Sequence, residues 1–526
     1  MFTRTKRNGK SVSFAEPPWD SDSAPWQDLE RELPPDHLAR RVVQRMTVFD
    51  LAPLYATYQG RGSKPYRPDL LLRIALIEIQ RGRHSPTQWF VDTLENKALQ
   101  WAGFGIRPSR SCWHSFFQRV APLLLTLNSQ VLEKAVEQGQ TPAARAALDG
   151  TLVAANASRH RLLNQERLDK RLAELDAVLA RDTEDQAGRI PAVPPADPVG
   201  AAAEVTAPVP GWMARTTPGR QAQKQRYQQA REHLQDLLAA NAQRNPSRRL
   251  PVKKIVVSGS DPQSESGRDK EKVFRPLYNW QLLRDLDSPF VLGYQVFAQI
   301  SDANTMGPML ERTTDLISKK LEQLLVDAGY VTGADLALCQ TAGITLYGPW
   351  LENDYSKKKD NYLAKEQFTW LPAHNAYRCP QGQLLTPIGK ETRKHVDGRS
   401  EVQYRYRCAP LHCRACPVHR QCTSNPDRGR SLRRSEHEEL IVAHKARMAT
   451  PEAKALYKLR RQTVELGFAD FKAHRSLRRF WGRGLARAEA QAGFAVLAHN
   501  LLELADSPAE PENEELAAVT LTENGG

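Results

Sequence analysis

Three acidic residues lie in sequence contexts that could bring them to one metal site. Asp149 sits among small and β-branched residues, and Asp327 follows a second apolar stretch, so both are predicted at the ends of buried strands. Glu465 lies in a basic segment with helical spacing. Carboxylates are preferred ligands of Mg²⁺, and two such ions can act on the attacking and leaving oxygens of a phosphodiester. A single strand-end aspartate is also explained as a capping residue, so the prediction depends on all three acids together.

The segment around Glu465 is densely basic. Arg461 precedes Glu465 by four residues and Lys472 follows it by seven, so the three are predicted to share one face of a helix. The apolar stripe beside that face is Val464, Phe468 and Phe471, and further basic residues nearby include Arg475, Arg478 and Arg479. This density favours contact with DNA phosphates, and a merely solvated charged face is the alternative.

Five of the seven cysteines lie close together in the sequence. They are Cys379, Cys408, Cys413, Cys416 and Cys422, and one pair has Cys-x-x-Cys spacing. Such spacing is typical of a structural Zn²⁺ site, which needs four ligands, so one thiol is in excess. His412 or His419 could replace a thiol. Buried thiols or disulfides are the alternative interpretation.

The bulk composition favours a polyanionic partner. Lys and Arg number 74 against 60 Asp and Glu, which gives a net charge of +14 and a pI near 9.4. Double-stranded DNA is the expected partner. The sequence has no apolar run long enough for a membrane span and no secretory signal at its start, so we expect a cytoplasmic, nucleoid-associated protein without a membrane partner.

The chain pattern predicts an α/β protein with several parts. A tail without fixed structure is expected over 1–40, a helical DNA-binding domain over 41–140, and a catalytic α/β domain over 145–350 and 436–505. A helical hairpin with a Pro-rich linker is expected over 159–250, a cysteine-rich insertion over 351–435 and an acidic tail over 506–526.

The amino-terminal helices carry their own signals. Ser85 and Pro86 predict a helix start, and a second start is predicted at residues 108–111. Arg107 and Arg110 at this second start are arranged as at the beginning of a DNA-reading helix. Helix pairs of this kind also occur in all-α domains that do not read DNA.

The three acidic motifs resemble those of a known family. DGT at 149–151, DAGY at 327–330 and the spacing of Arg461, Glu465 and Lys472 resemble the DDE transposases of bacterial insertion sequences, whose catalytic domain is RNase H-like. Residues 66–89, 260–282 and 301–313 are similar to segments of one such family, which has an amino-terminal helical domain and a cysteine-rich insertion. The resemblance covers most of residues 45–505.

This resemblance implies a role for each motif. Asp149, Asp327 and Glu465 would bind two Mg²⁺ ions, and Arg461 and Lys472 would contact DNA near the active site. Related transposases often have a tyrosine three residues before that arginine, where this chain has Lys458 with Tyr457 beside it. The site therefore does not follow the family pattern at this point.

The resemblance implies a transposase that cuts and joins DNA at the ends of its element, as a homodimer on DNA. Two other functions stay open from the residues alone. One is a metal-dependent nuclease of the same fold, which hydrolyses DNA without joining it. The other is a zinc-containing DNA-binding protein whose three acids are inert.

Overall fold

The computed structural model of this chain describes residues 6–7, 10–59, 63–187, 209–351, 363–394 and 399–505. The amino-terminal part is helical after a short strand pair. Its elements are β1 (Lys6–Arg7), β2 (Lys10–Ser11), α1 (Ala24–Glu32), α2 (Leu38–Arg45), α3 (Ala52–Ala56), α4 (Pro68–Gln80), α5 (Pro86–Glu95), α6 (Lys97–Ala102), α7 (Arg110–Val120) and α8 (Leu124–Glu137).

The helix start predicted at Ser85 is confirmed. The Ser85 side chain caps α5 in a capping box with Gln88, and Pro86 is in the first turn. Ser109 caps α7 by accepting a hydrogen bond from the backbone N–H of Cys112. These caps satisfy amide groups that have no partner within the helix.

The expectation of a structureless tail over 1–40 is wrong for its second half. Helix α1 lies within this range, and Trp26 stacks on the ring of Phe104 at a centroid distance of 5.5 Å. The Trp26 indole N–H also donates to the carbonyl of Trp101. Buried aromatic surface of this kind offsets the entropy lost when a polar segment is ordered.

A mixed β-sheet forms the centre of the molecule. The elements of this part are β3 (Arg145–Ala154), β4 (Leu162–Leu163), α9 (Gln165–Ala187), α10 (Thr217–Gln243), β5 (Val257–Ser258), β6 (Glu265–Arg268), β7 (Phe274–Asp285), β8 (Val291–Phe297), α11 (Met306–Leu316), β9 (Gln323–Val326), α12 (Gly333–Ala342) and β10 (Thr345–Tyr347). The strand order is β10-β9-β3-β7-β6, and β8 also pairs with β7. The pairs β10–β9 and β9–β3 are parallel, whereas β7 is antiparallel to β3, β6 and β8.

Helices α9 and α10 pack as the predicted hairpin. Leu168, Leu172 and Leu175 of α9 share a small core with Tyr227 and Leu234 of α10. The Pro-rich linker predicted between the two helices falls mainly on residues 188–208, which lie outside the described ranges, as does the acidic tail over 506–526.

The cysteine-rich part contains a five-stranded antiparallel sheet, which the sequence pattern did not predict. Its elements are β11 (Thr369–Leu371), β12 (Ala376–Arg378), β13 (Leu384–Lys394), β14 (Ser400–Cys408), α13 (Pro410–Arg414), α14 (His419–Cys422) and β15 (Ser431–Ser435). The strands follow chain order across the sheet. Its small core contains Phe368, Tyr377, Leu385 and Tyr406.

The last part of the chain is helical and returns to the central sheet. It contains α15 (Glu438–Ala449), α16 (Pro451–Arg460), a π-helix (Arg461–Glu465), α17 (Leu466–Ala473) and α18 (Leu485–Glu503). The helix predicted around Glu465 is thus interrupted by a π-helical turn and ends at Ala473. Val464, Phe468 and Phe471 are buried, as predicted.

Helix α18 joins the amino-terminal helices to the sheet. Phe494 of α18 contacts the rings of Trp89 and Phe117 at centroid distances of 6.0 and 5.6 Å. The Asn128 amide of α8 donates to the carbonyl of Gly493 at 3.2 Å. One hydrophobic core therefore runs through the amino-terminal helices and the sheet. In the described ranges, no helix combines the length and apolar character needed to cross a membrane.

Candidate active site at the sheet edge

Asp149 and Asp327 lie side by side on neighbouring parallel strands. The register of β3 and β9 pairs Leu148 with Val326, and each aspartate is the next residue along its strand direction. Neighbouring strands are roughly 4.8 Å apart, so the sheet itself brings the two carboxylates together. Asp149 is within β3, whereas Asp327 begins the turn after β9 and accepts a hydrogen bond from the Ala328 N–H at 2.7 Å.

Glu465 reaches this pair of aspartates through Arg460. The Arg460 Nη2 atom is 3.2 Å from Asp149 Oδ2, and its Nη1 atom is 4.0 Å from Glu465 Oε1. The turn between the two residues is π-helical, and in a π-helix residues five apart lie on the same face. The π-helix therefore aligns Arg460 with Glu465.

The sequence predicted that Arg461 shares a helical face with Glu465 and contacts DNA. The Arg461 side chain is 86% exposed, and its Nε atom is 3.6 Å from Glu465 Oε2. The arginine that contacts both Asp149 and Glu465 is Arg460, which the sequence pattern did not single out. The DNA contact of Arg461 stays a prediction.

Tyr457 contacts the arginine that lies between the acids. It precedes Arg460 by three residues in α16, and the Arg460 guanidinium donates a hydrogen bond to its hydroxyl group. Burial raises the pKa of Tyr457, and the guanidinium partly opposes this rise. The departure from the family's tyrosine spacing relative to Arg461 remains.

Burial and two neighbouring groups shift the pKa of Asp149 in opposite directions. Its side chain is 17% exposed, and the loss of hydration raises its pKa. The charge of Arg460 and the Gly150 N–H, at 2.9 Å from Oδ1, both act in the opposite direction. Both neighbours therefore reduce the rise in the pKa of Asp149 that burial causes.

Lys472 of α17 contacts the strand that carries Asp149. Its Nζ atom donates to Thr151 Oγ1 at 2.6 Å and to the carbonyl of Leu152 at 3.0 Å. Burial lowers the pKa of Lys472 to about 8. The lysine therefore joins α17 to β3, and its predicted contact with DNA stays a prediction.

A second polar network supports the site and was missed in the sequence. Asp302 Oδ1 accepts hydrogen bonds from the Asn279 amide at 2.9 Å and the Gln281 amide at 2.7 Å. The Tyr330 hydroxyl donates to Gln281 Oε1 at 2.5 Å. The resemblance could have indicated this network, because Asn279, Gln281 and Asp302 all lie in segments similar to the transposase family.

Gln281 contacts the chain segments next to both aspartates. It is paired with Gly150 in the register of β3 and β7, and its partner Tyr330 is in the turn that Asp327 begins. A Cβ atom on Gly150 would lie 2.0 Å from the Gln281 amide nitrogen and 2.4 Å from Asp302 Oδ1. Only glycine leaves room for this network.

Residues 378–505 match the family model of the transposase DDE domain. No curated protein and no solved structure matched. Transposases of this kind act on DNA in transposition and recombination, and they generally use divalent metal ions such as Mg²⁺.

The DDE domain match contains Arg460 and Glu465 but neither aspartate. Asp149 and Asp327 are instead linked to it by the sheet and by the ion pair between Arg460 and Asp149. The tertiary structure thus connects the matched segment to two acids that lie before it in the sequence.

The basic residues around the DDE domain fall into two groups. The Arg478 side chain is 68% exposed, and Arg479 is exposed as well. The Arg475 side chain is only 11% exposed, and its Nε atom is 2.9 Å from Asp470 Oδ2. The DNA contact expected of Arg475 does not fit this buried ion pair. Arg107 and Arg110, at the start of α7, are exposed.

The five clustered cysteines surround one cavity. Cys379, Cys408, Cys413, Cys416 and Cys422 line it together with His412. No disulfide joins any cysteine of the described ranges. The His419 Nδ1 atom is 2.9 Å from the carbonyl of Cys416, so this ring is engaged with the backbone.

Proposed function

We propose that this chain is the transposase of a bacterial insertion sequence, which cleaves DNA at the element ends and joins those ends to target DNA. The observation that carries the proposal is the geometry of three acids. Asp149 and Asp327 follow paired residues of two parallel strands, and Glu465 is linked to Asp149 through one guanidinium. A mixed sheet that presents two aspartates at one edge, with a glutamate on a later helix, supports an RNase H-like catalytic domain.

The three acids fit a pair of hard cations by their chemistry. All their donor atoms are carboxylate oxygens, and Asp327 and Glu465 are exposed at the surface. When bound, two Mg²⁺ ions would stabilise the attacking and leaving oxygens of the phosphodiester. Asp149, Asp327 and Glu465 are the residues that would hold them.

The protein residues would position the acids and the DNA. The charge of Arg460 opposes the effect of burial on the pKa of Asp149. Tyr457 orients Arg460, and Gln281 fixes the backbone beside both aspartates. Arg461, Arg478 and Arg479 are exposed and would contact phosphates near the site, while Arg107 and Arg110 would contact the element ends.

Water would be the nucleophile in the cleavage step, and it would release a 3′ hydroxyl at the element end. In the joining step this hydroxyl would attack a target phosphorus, so that one P–O bond forms as another breaks. A homodimer would bring two ends together on double-stranded DNA in the cytoplasm.

The test uses full-length protein with DNA carrying the ends of the element. Asp149→Asn, Asp327→Asn and Glu465→Gln should each reduce Mg²⁺-dependent cleavage by more than about 100-fold, since even outer partners of metal ligands typically contribute 10–100-fold. DNA binding should be retained, because phosphate contacts determine affinity separately from the reaction. Glu452→Gln, an exposed acid at the start of α16, is the matched control and should behave as wild type.

Two further assays separate the alternative functions. Pre-cleaved ends with a free 3′ hydroxyl should be joined to a target plasmid. Cleavage without joining would indicate a nuclease, and the absence of Mg²⁺-dependent nicking would indicate a DNA-binding protein with an inert site. Near wild-type cleavage by the Glu465→Gln protein would contradict the proposed role of that residue.

A further inference from the structure

The segment between β14 and β15 of the cysteine-rich part has little regular secondary structure. Between β14 and β15 the chain forms only α13 and α14, which have 5 and 4 residues. Helices this short are unstable in isolation, because the first turn costs more than its hydrogen bond returns. Leu411 of α13 is exposed, so this helix is not anchored by its leucine.

The cysteine side chains of this segment line a cavity. Cys413 and Cys422 are buried, and with Cys379 and Cys416 they line one cavity of about 20 Å³. This volume is close to the volume of one sphere the size of a water molecule. The cavity therefore has room for a single ion surrounded by sulfur.

Two of these sulfurs are hydrogen-bond acceptors. The Gln383 N–H donates to Cys379 Sγ at 3.3 Å, in a tight turn where Gly382 has a φ of +82°. The Arg430 N–H donates to Cys413 Sγ at 3.4 Å. Backbone donors aimed at sulfur favour its negatively charged form, which is the form that binds metals.

The fifth cysteine has a different environment. Cys408 is the last residue of β14 and is paired with Leu385, and its own N–H donates to the carbonyl of Arg430 at 2.9 Å. Its side chain is a hydrogen-bond partner of Cys413. Cys408 is thus held in the ladder beside a neighbouring sulfur.

We propose that the cavity is a structural Zn²⁺ site, with Cys379, Cys413, Cys416 and Cys422 as its four ligands and Cys408 as a hydrogen-bond donor to Cys413. Four thiolates are the preferred tetrahedral set of a closed structural zinc site. In the described ranges no three metal-binding side chains already converge at metal-binding distance, so the sulfurs would turn inward from the cavity wall as the ion binds. The ion would join α13 and α14 to the turn after β12.

The experiment measures zinc in full-length protein purified under reducing conditions without chelator. Wild type should contain one Zn²⁺ per chain by elemental analysis. Cys379→Ser and Cys416→Ser should lose the zinc, whereas Cys408→Ser should retain it. Cys112→Ser, which changes a cysteine of α7, is the matched control and should also retain it.

A spectroscopic measurement on the wild-type chain covers the case in which a variant does not fold. Protein in which Co²⁺ has replaced the zinc should show the visible absorption of a tetrahedral site with sulfur ligands. Wild-type protein without zinc and without this absorption would overturn the site. Loss of zinc in Cys408→Ser, or its retention in Cys416→Ser, would overturn the ligand assignment. These readouts are independent of DNA cleavage, so they test the zinc site separately from the proposed function.

Discussion

Arg460 lies between Asp149 and Glu465, with one guanidinium nitrogen 3.2 Å from the aspartate and the other 4.0 Å from the glutamate. This contact exists because the five residues after α16 form a π-helix. Arg461 also approaches Glu465, with its Nε atom 3.6 Å from Oε2, but its side chain is 86% exposed. The two adjacent arginines therefore have separate roles, one within the site and one on the surface.

Replacing each of these two arginines by alanine, one at a time, tests that distinction. Arg460→Ala should reduce cleavage strongly, because Asp149 loses the charge that opposes the effect of burial on its pKa. That pKa should rise further, so residual cleavage should need a higher pH than in wild type. Arg461→Ala should leave the pH profile unchanged and only weaken DNA binding. Cleavage measured between pH 5 and 9, together with DNA affinity, checks both outcomes, and equal pH profiles for the two variants would contradict them.

Gly150→Ala should destabilise the protein. Its methyl group would meet the amide of Gln281 and the carboxylate of Asp302, and crowding in a packed site typically costs about 1–3 kcal/mol. Gly211→Ala is the control, since no atom lies within 4 Å of the added Cβ there. Denaturant unfolding of the two variants gives the comparison. A Gly150→Ala chain as stable as the control would show that the Asp302 network does not restrict this position.

Lys472 should make stability depend on alkaline pH. Burial lowers its pKa from 10.5 to about 8, so the unfolded chain binds more protons than the folded chain between these values. The free energy of unfolding attributable to Lys472 should therefore rise as the pH increases from 8 to 10.5 and stay constant below 8. Lys472→Met should flatten this part of the profile relative to wild type. Unfolding measured in parallel for both proteins tests this, and identical slopes would contradict the burial of the ammonium group.

Arg478 and Arg475 should respond differently to removal. Arg478→Ala should weaken DNA binding and reduce the salt dependence by roughly one phosphate contact, because its side chain is exposed. Arg475→Ala should instead lower stability, since it leaves Asp470 without its partner. Salt titrations of DNA binding and thermal unfolding distinguish the two effects. A larger loss of the salt dependence in Arg475→Ala than in Arg478→Ala would contradict this assignment.

Local patterns in the sequence correctly indicated several features. The strand before Asp327 and the strand around Asp149 follow from apolar and β-branched runs, although Asp149 lies within β3 and not at its end as predicted. The start of α5 follows from Ser85 and Pro86. Burial of Val464 and Phe468 follows from helical spacing, which tolerates one π-helical turn at its edge. Each of these depends on interactions between residues near one another in the chain.

The tertiary structure decided which side chains meet. The adjacency of Asp149 and Asp327 depends on the register of β3 and β9, which are far apart in the chain. The contact of Arg460 with both Asp149 and Glu465 depends on a π-helical turn, which residue spacing alone does not reveal. Asp302 was missed for the same reason, because its partners come from another strand and another turn. Sequence patterns report local preference, whereas contacts between distant segments are determined by register and packing of the whole chain.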